Sequence, residues 1–175
     1  MPHAKKIVCS VMAAIGLILT GAVTNDVQVS KQGLELIGNA ESCRLTPYVC
    51  PAGLPTNGIG NTHGVTGETI TIEQVAKDWA RNIESAQDCL ATTINPASLS
   101  QGQVDAFTSF IFNVGCTRYK RNADGSETRI YSKLRTNHVV EACHELKYWV
   151  YGGGKKLNGL VTRRKKEMDL CLGGT

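Results

Sequence analysis

The stretch Glu41-Ser-Cys-Arg-Leu-Thr-Pro-Tyr-Val-Cys50-Pro-Ala-Gly-Leu-Pro-Thr56, followed at once by Asn57-Gly-Ile-Gly-Asn-Thr-His-Gly64, decides how the rest of the chain is read. Three prolines and five glycines fall between Thr46 and Gly67. That density of turn residues excludes a helix and predicts tight turns with a short β-hairpin around Thr56–Gly64. Just upstream, Leu34, Leu36 and Ile37 predict a short helix near Gly33–Asn39, so Glu41 lies at or just past its end. A helix end and a hairpin then face each other across a cleft. Glu41, Cys50 and Thr56 are spaced by nine and then six residues along this stretch.

Working outward, residues 25–34 are polar and read as a linker. Thr71 with Gln74 forms a capping box, and Ile72, Val75, Trp79, Ile83, Ala86 and Leu90 recur at helical spacing as far as about Thr92. A helix of that length, about 33 Å, can bridge two lobes. Asn95-Pro96 stops it. Ser100 with Gln103 caps the next helix, which carries Val104, Phe107, Ile111 and Val114 on one face and ends at Gly115. Residues 118–129 read as a polar loop or exposed hairpin. A further helix is expected from about Asn137 to Tyr151, with Val140, Cys143, Leu146 and Val150 inward and Gly152–Gly154 as its stop. The last helix, Leu160–Leu172, has Leu160, Met168 and Leu172 on one stripe, and Arg164 lies on that stripe too. An arginine facing a core needs a buried anion.

The chain has 175 residues, 42% hydrophobic and 19% charged, with a formal charge of +4. That excludes a disordered protein and suits one domain, or a small lobe and a larger one sharing a core. The mild basicity favours an anionic partner such as nucleic acid, phospholipid or cell wall, without choosing among them. Seven cysteines are many for a reduced cytosol and place the protein in an oxidising compartment. No C-x-x-C pair occurs and the four histidines share no ligand spacing with the thiols, so neither a metal nor another cofactor is expected. Cys9 stands apart, inside the uncharged segment Ile7–Thr24 that follows Lys5 and Lys6. Eighteen residues rich in Ala, Gly, Ser and Thr are a weak membrane anchor of near-minimal length, or a cleaved secretory signal. Both readings export everything after Thr24.

The E-x8-C-x5-T spacing resembles the phage-type lysozymes, in which a glutamate is followed at nine residues by Asp or Cys and at fifteen by Thr. The resemblance extends to Gly58-Ile-Gly60, to Gln103-Val-Asp-Ala-Phe-Thr-Ser-Phe-Ile-Phe-Asn-Val-Gly115 and to Leu157-Asn-Gly-Leu-Val-Thr-Arg-Arg-Lys-Lys-Glu167, and so reaches most of residues 33–172. It implies an α+β, lysozyme-like fold that is mostly helical. Residues 1–32 are the N-terminal hydrophobic helix and linker. The catalytic domain, 33–175, is then a small lobe with a β-hairpin (about 33–70), a connecting helix (about 71–92) and a larger helical lobe (about 93–173). The implied reaction is hydrolysis of the β-1,4 bond between N-acetylmuramic acid and N-acetylglucosamine in peptidoglycan, by an endolysin that lyses the host cell. Such chemistry needs a protonated carboxyl for the leaving oxygen and a second group for the cationic sugar or its attacking water. Glu41 is the implied general acid, Cys50 stands where the family often has Asp, and Thr56 matches the residue that positions water. The family also pairs its glutamate with an arginine of the late helix; Arg164 is the candidate and Arg163 the fallback. Asn61 replaces a common histidine, and His63 lies two residues on.

Some relatives, the signal-arrest-release endolysins, wait on the periplasmic face of the inner membrane, tethered by a weak N-terminal anchor until it slips out. The resemblance implies the same localisation here, N-terminus inside and catalytic domain periplasmic, then release to the periplasm. It also implies a functional link to a holin, a monomer, and no nucleic-acid partner. In this reading Cys43–Cys50 is the resting disulfide and Cys9–Cys43 the active one, by exchange of the Cys9 thiolate. The alternative is a permanent Cys43–Cys50 staple. The remaining pairs are expected to be Cys89–Cys116 and Cys143–Cys171. Two other functions stay open at this point: a lytic transglycosylase using Glu41 alone, and a non-catalytic, membrane-anchored wall-binding protein.

Overall fold

A computed structural model describes residues 9–50 and 53–173. The small lobe contains helices α1 (Val11–Leu19) and α2 (Lys31–Asn39) and the antiparallel hairpin β1 (Cys43–Val49) and β2 (Pro55–Ile59). Helix α3 (Ile72–Ala91) runs from this lobe into the larger one. There follow α4 (Gln101–Val114), α5 (Cys116–Lys120), α6 (Arg129–Arg135), α7 (Val139–Glu145), the two-residue strands β3 (Tyr151–Gly152) and β4 (Lys155–Lys156), and α8 (Asn158–Cys171). The fold is lysozyme-like α+β, with two apolar cores strung along α3.

One face of α3 serves both cores, because its buried positions recur every three or four residues. Val75, Ala76, Trp79, Ala80 and Ile83 pack in the small lobe, and Ala86, Cys89 and Leu90 in the large one. Phe112 of α4 packs against both clusters. Of the two expected capping boxes, Ser100 and Gln103 exchange both bonds, whereas at Thr71 only half is formed, Oγ1 accepting from Gln74 N at 3.2 Å.

The N-terminal segment differs from its expectation. Helix α1 has nine residues, and Thr20–Val23 are turns with Gly21 at φ 70°. Ile7 and Val8, the start of the expected eighteen-residue helix, lie outside the described residues. Among the described residues no helix is long and apolar enough to cross a membrane. Instead Ala14, Ile15 and Ile18 are buried in the small-lobe core with Leu34, Ile37 and Trp79. The close approach depends on Gly38 of α2, where a Cβ would lie 2.3 Å from Val11 Cγ1 and 3.2 Å from the Trp79 ring. The segment that follows is strapped to α3 and α4. Asp26 N donates to Glu84 Oε1 at 2.6 Å, Gln28 N to Gln87 Oε1 at 2.9 Å and Ser30 N to Asp105 Oδ1 at 2.8 Å. These acceptors give the extended backbone the partners that a sheet would otherwise supply.

In the large lobe the expected helix Asn137–Tyr151 is broken. Asn137 adopts φ 61°, α7 ends at Glu145, and a single 3-10 turn (Leu146–Tyr148) leads into the β3–β4 hairpin. Helix α6 lies just past the stretch read as a loop, where Arg121 and Glu127 form a bridge. Disulfides join Cys89 to Cys116 and Cys143 to Cys171, the two pairings expected for this lobe, and Cys9 to Cys43 in the small one.

Candidate active site

Glu41 stands between the end of α2 and the start of β1, because Glu41 N still donates to Gly38 O (3.2 Å) while the strand begins two residues on. Its carboxylate is partly open, with 23% of the side chain exposed, and one oxygen faces Gly60. Gly60 has φ 68°, and a Cβ there would sit 3.2 Å from Glu41 Oε2. The Gly-Ile-Gly that ends the hairpin therefore lets β2 close against the glutamate. On β1, Tyr48 lies directly opposite Thr56 of β2, so the two side chains share a face of the ribbon. Burial raises the Tyr48 phenol above its ordinary pKa, the negative charges of Glu41 and Cys50 add to the rise, and Arg44 opposes it. Glu41 and Cys50 are thus both within electrostatic reach of one phenol. Thr56 is 2% exposed, and its hydroxyl donates to Leu54 O at 2.9 Å. Its oxygen remains available as an acceptor.

From the other lobe, Arg163 Nη1 donates to Glu41 Oε1 at 2.8 Å. The arginine on the glutamate is therefore Arg163, the fallback, and not Arg164. Arg164 points the other way, into the large lobe. It donates to Trp149 O at 3.1 Å and to Asn113 Oδ1, pairs with Glu167, and lies 4.9 Å over the Phe110 ring. Burial lowers its pKa from the ordinary guanidinium value, and Glu167 opposes that shift. The buried anion demanded by an inward-facing arginine is thus Glu167, a residue the sequence reading passed over. It lies four positions after Arg163 and three after Arg164, the spacing at which helical neighbours pair.

Asn61 does not stand in for a catalytic histidine. Its amide is spent within the hairpin turn, donating to Asn57 Oδ1 and His63 O, each at 2.9 Å. His63 is exposed. The bond between Cys43 and Cys9 excludes a Cys43–Cys50 bond in this form. Glu41 and Arg163 also line a groove of about 990 Å³ between α2 and α8, with Leu36, Leu160 and Leu170, whereas Tyr48, Cys50 and Thr56 are not among its lining residues.

The phage lysozyme family profile matches residues 38–167, which contain the whole of this constellation. The chain belongs to the phage lysozyme family. This phage lysozyme is 42% identical over 170 residues to the SAR-endolysin of Escherichia phage P1, covering 93% of this chain and 92% of the relative. It is 41% identical over 152 residues to the SAR-endolysin of Haemophilus phage HP1, covering 83% and 82%. Among solved structures, the active form of the P1 phage endolysin Lyz superposes with a TM-score of 0.84 at 40% identity, covering 94% of each chain. The secreted inactive form of that endolysin reaches 0.59, covering 83% of this chain and 96% of the other. The protein is a glycoside hydrolase of the muramidase type, a cell-wall lytic enzyme whose substrate is peptidoglycan.

Proposed function

We propose that the protein cleaves the β-1,4 bond between N-acetylmuramic acid and N-acetylglucosamine with Glu41 as the general acid. The observation that carries this reading is the Arg163–Glu41 pair, 2.8 Å long, with the arginine buried and the glutamate partly exposed to solvent. A carboxyl fixed in one rotamer and reachable from solvent is what proton donation to a glycosidic oxygen requires. As the bond breaks, Glu41 becomes a carboxylate beside a cation that is already in place. Thr56, its hydroxyl proton committed to Leu54 O, accepts from a water and orients it toward the sugar carbon. Cys50, in the position where the family often has Asp, is the second group, facing the cationic ring across the cleft. Its electrostatic reach to Tyr48, shared with Glu41, supports that placement.

The chain is further read as starting life tethered to the inner membrane by its N-terminal segment and acting in the periplasm after release, in functional partnership with a holin. The Cys9–Cys43 bond supports disulfide exchange on release, since Cys9 belongs to the anchor and Cys43 to the catalytic lobe. So does the closer superposition on the active P1 form than on the inactive one. Glu41→Gln tests the core of the reading. It is expected to lower wall hydrolysis by about 10²–10⁴-fold while the protein still unfolds cooperatively on heating. Lysis that persists in this variant rules out Glu41 as the acid. Anhydro-muramyl products from the parent, seen by mass spectrometry, would instead make it a transglycosylase.

A further inference from the structure

Two arginines and one glutamate lie side by side on the buried face of α8: Arg163 is 5% exposed, Arg164 1% and Glu167 0%. Every contact of Glu167 is to a donor. Arg163 Nε reaches its Oε1 at 3.1 Å, Ser109 Oγ of α4 the same oxygen at 2.6 Å, and Arg164 Nη1 its other oxygen. Arg163 is held by three further contacts, Nη2 to Ser109 O at 3.1 Å, Nη2 to Ser109 Oγ at 3.4 Å, and Nη1 to Glu41. Glu167 thus grips the inner edge of the guanidinium whose outer edge carries Glu41. The charge count matters as much as the geometry. Two buried cations have one fully buried anion between them, and the second anion is Glu41 itself.

A general acid beside an arginine has a difficulty, because an opposite charge at hydrogen-bond distance favours the ionised, proton-less carboxyl. Glu167 meets it in part, since its own charge offsets that of the guanidinium on which Glu41 rests. We propose that Glu167 is a positioning residue, holding Arg163 on Glu41 and, by sharing its charge, keeping Glu41 able to carry a proton at the pH where the enzyme works. This rests on Glu41 being the general acid. The other groups facing the cluster are few and come from each packed element. On α4, Asn113 accepts from Arg164, and Asp105 is taken up by Ser30 and Gln101. On α2 and α8, Glu35, Lys166 and Asp169 line the groove. On β1 stands Tyr48, with Arg44 and Cys50 acting on it. None of these is hydrogen-bonded to Arg163 or Glu167.

The test is the pH profile of kcat/KM on soluble peptidoglycan fragments. In Glu167→Gln the glutamate's charge is gone while an acceptor for Arg163 remains. The basic limb of the profile is then expected to move down by about one pH unit. Above that limb kcat/KM falls about tenfold, through kcat with KM held. In an Arg163→Gln background the same substitution is expected to leave the limb in place, since it acts through Arg163. Should Glu167→Gln fail to fold, Glu167→Asp keeps the charge but withdraws it from Nε, and shifts the limb the same way by less. An unmoved limb in the folded variant, or an equal shift without Arg163, overturns the proposal. Activity retained in Glu41→Gln would overturn the underlying assignment instead, so the two failures are told apart.

Discussion

A glutamate beside an arginine is common on protein surfaces, where it contributes little. What distinguishes Glu41 is the company of a half-buried phenol, a backbone that has given up its Cβ at Gly60, and a cation supplied by the opposite lobe. The Tyr48 phenol reports on this arrangement without any substrate. Its pKa is raised by burial first and by the Glu41 charge second. In Glu41→Gln the phenolate should therefore form at lower pH than in the parent, though not at the ordinary value, because burial remains. Difference titration of tyrosinate absorbance checks this, with Tyr48→Phe identifying the signal. A Tyr48 titration unaffected by the substitution would mean that Glu41 and the hairpin face different ways. The candidates Glu41, Cys50 and Thr56 came from the resemblance to the phage-type lysozymes, in which this spacing occurs together with the two later sequence blocks. Periodicity misplaced the arginine for a physical reason. The stripe was drawn through Leu160, Met168 and Leu172, whereas the buried face of α8 is Arg163, Arg164, Glu167 and Cys171, mostly charged. Hydrophobic periodicity cannot find a helix face whose burial is secured by ion pairs. An i, i+4 search for Arg–Glu pairs would have found it.

At the scale of elements, capping residues and apolar repeats marked α3 and α4 well, since each is a long helix with a full face in a core. The short helices were harder. Helix α6, seven residues with Ile130 and Leu134 buried, is too brief to show a period, and α7 is cut off from it by the left-handed Asn137. Helix α1 presents a different ambiguity. Its composition reads as lipid-facing all round, yet in the folded domain Ala14, Ile15 and Ile18 are buried while Met12 and Leu19 are about half exposed. Composition alone does not say whether the apolar surroundings are lipid or protein. The packing makes a quantitative prediction. Ile15→Ala removes a side chain that is 1% exposed and should cost about 2–5 kcal/mol in denaturant unfolding of the disulfide-intact protein. Met12→Ala, on the exposed side, should stay within about 0.5 kcal/mol. Equal, small losses at both positions would show that α1 does not dock by this face.

For the whole molecule, the two-lobe plan was legible because its signals are long-range and redundant: a hairpin, a bridging helix and a cysteine-stapled helical lobe in that order. What composition could not show is that the small-lobe core is incomplete without α1, which fills the space above Gly38 and Trp79. That bears on the disulfides. Cys43 and Cys50 are seven residues apart, whereas the Cys9–Cys43 bond spans 34. Chain entropy alone favours the shorter loop by about 1–2 kcal/mol. Burying the three apolar side chains of α1 contributes about 1.5–3 kcal/mol for each of the larger two, enough to reverse that preference once the segment is in water. In the proposed membrane-tethered form that burial would be absent and the short loop preferred. Cys9→Ser separates the contributions. The docking face of α1 is intact, but Cys43 has lost its distant partner, and Cys50 is the nearest cysteine in sequence. Peptide mapping of the released variant is expected to find Cys43–Cys50, and its wall hydrolysis should fall well below the parent while thermal unfolding still shows a folded lobe. A Cys9→Ser enzyme that lyses as fast as the parent would leave the hydrolase intact and remove the disulfide from its control.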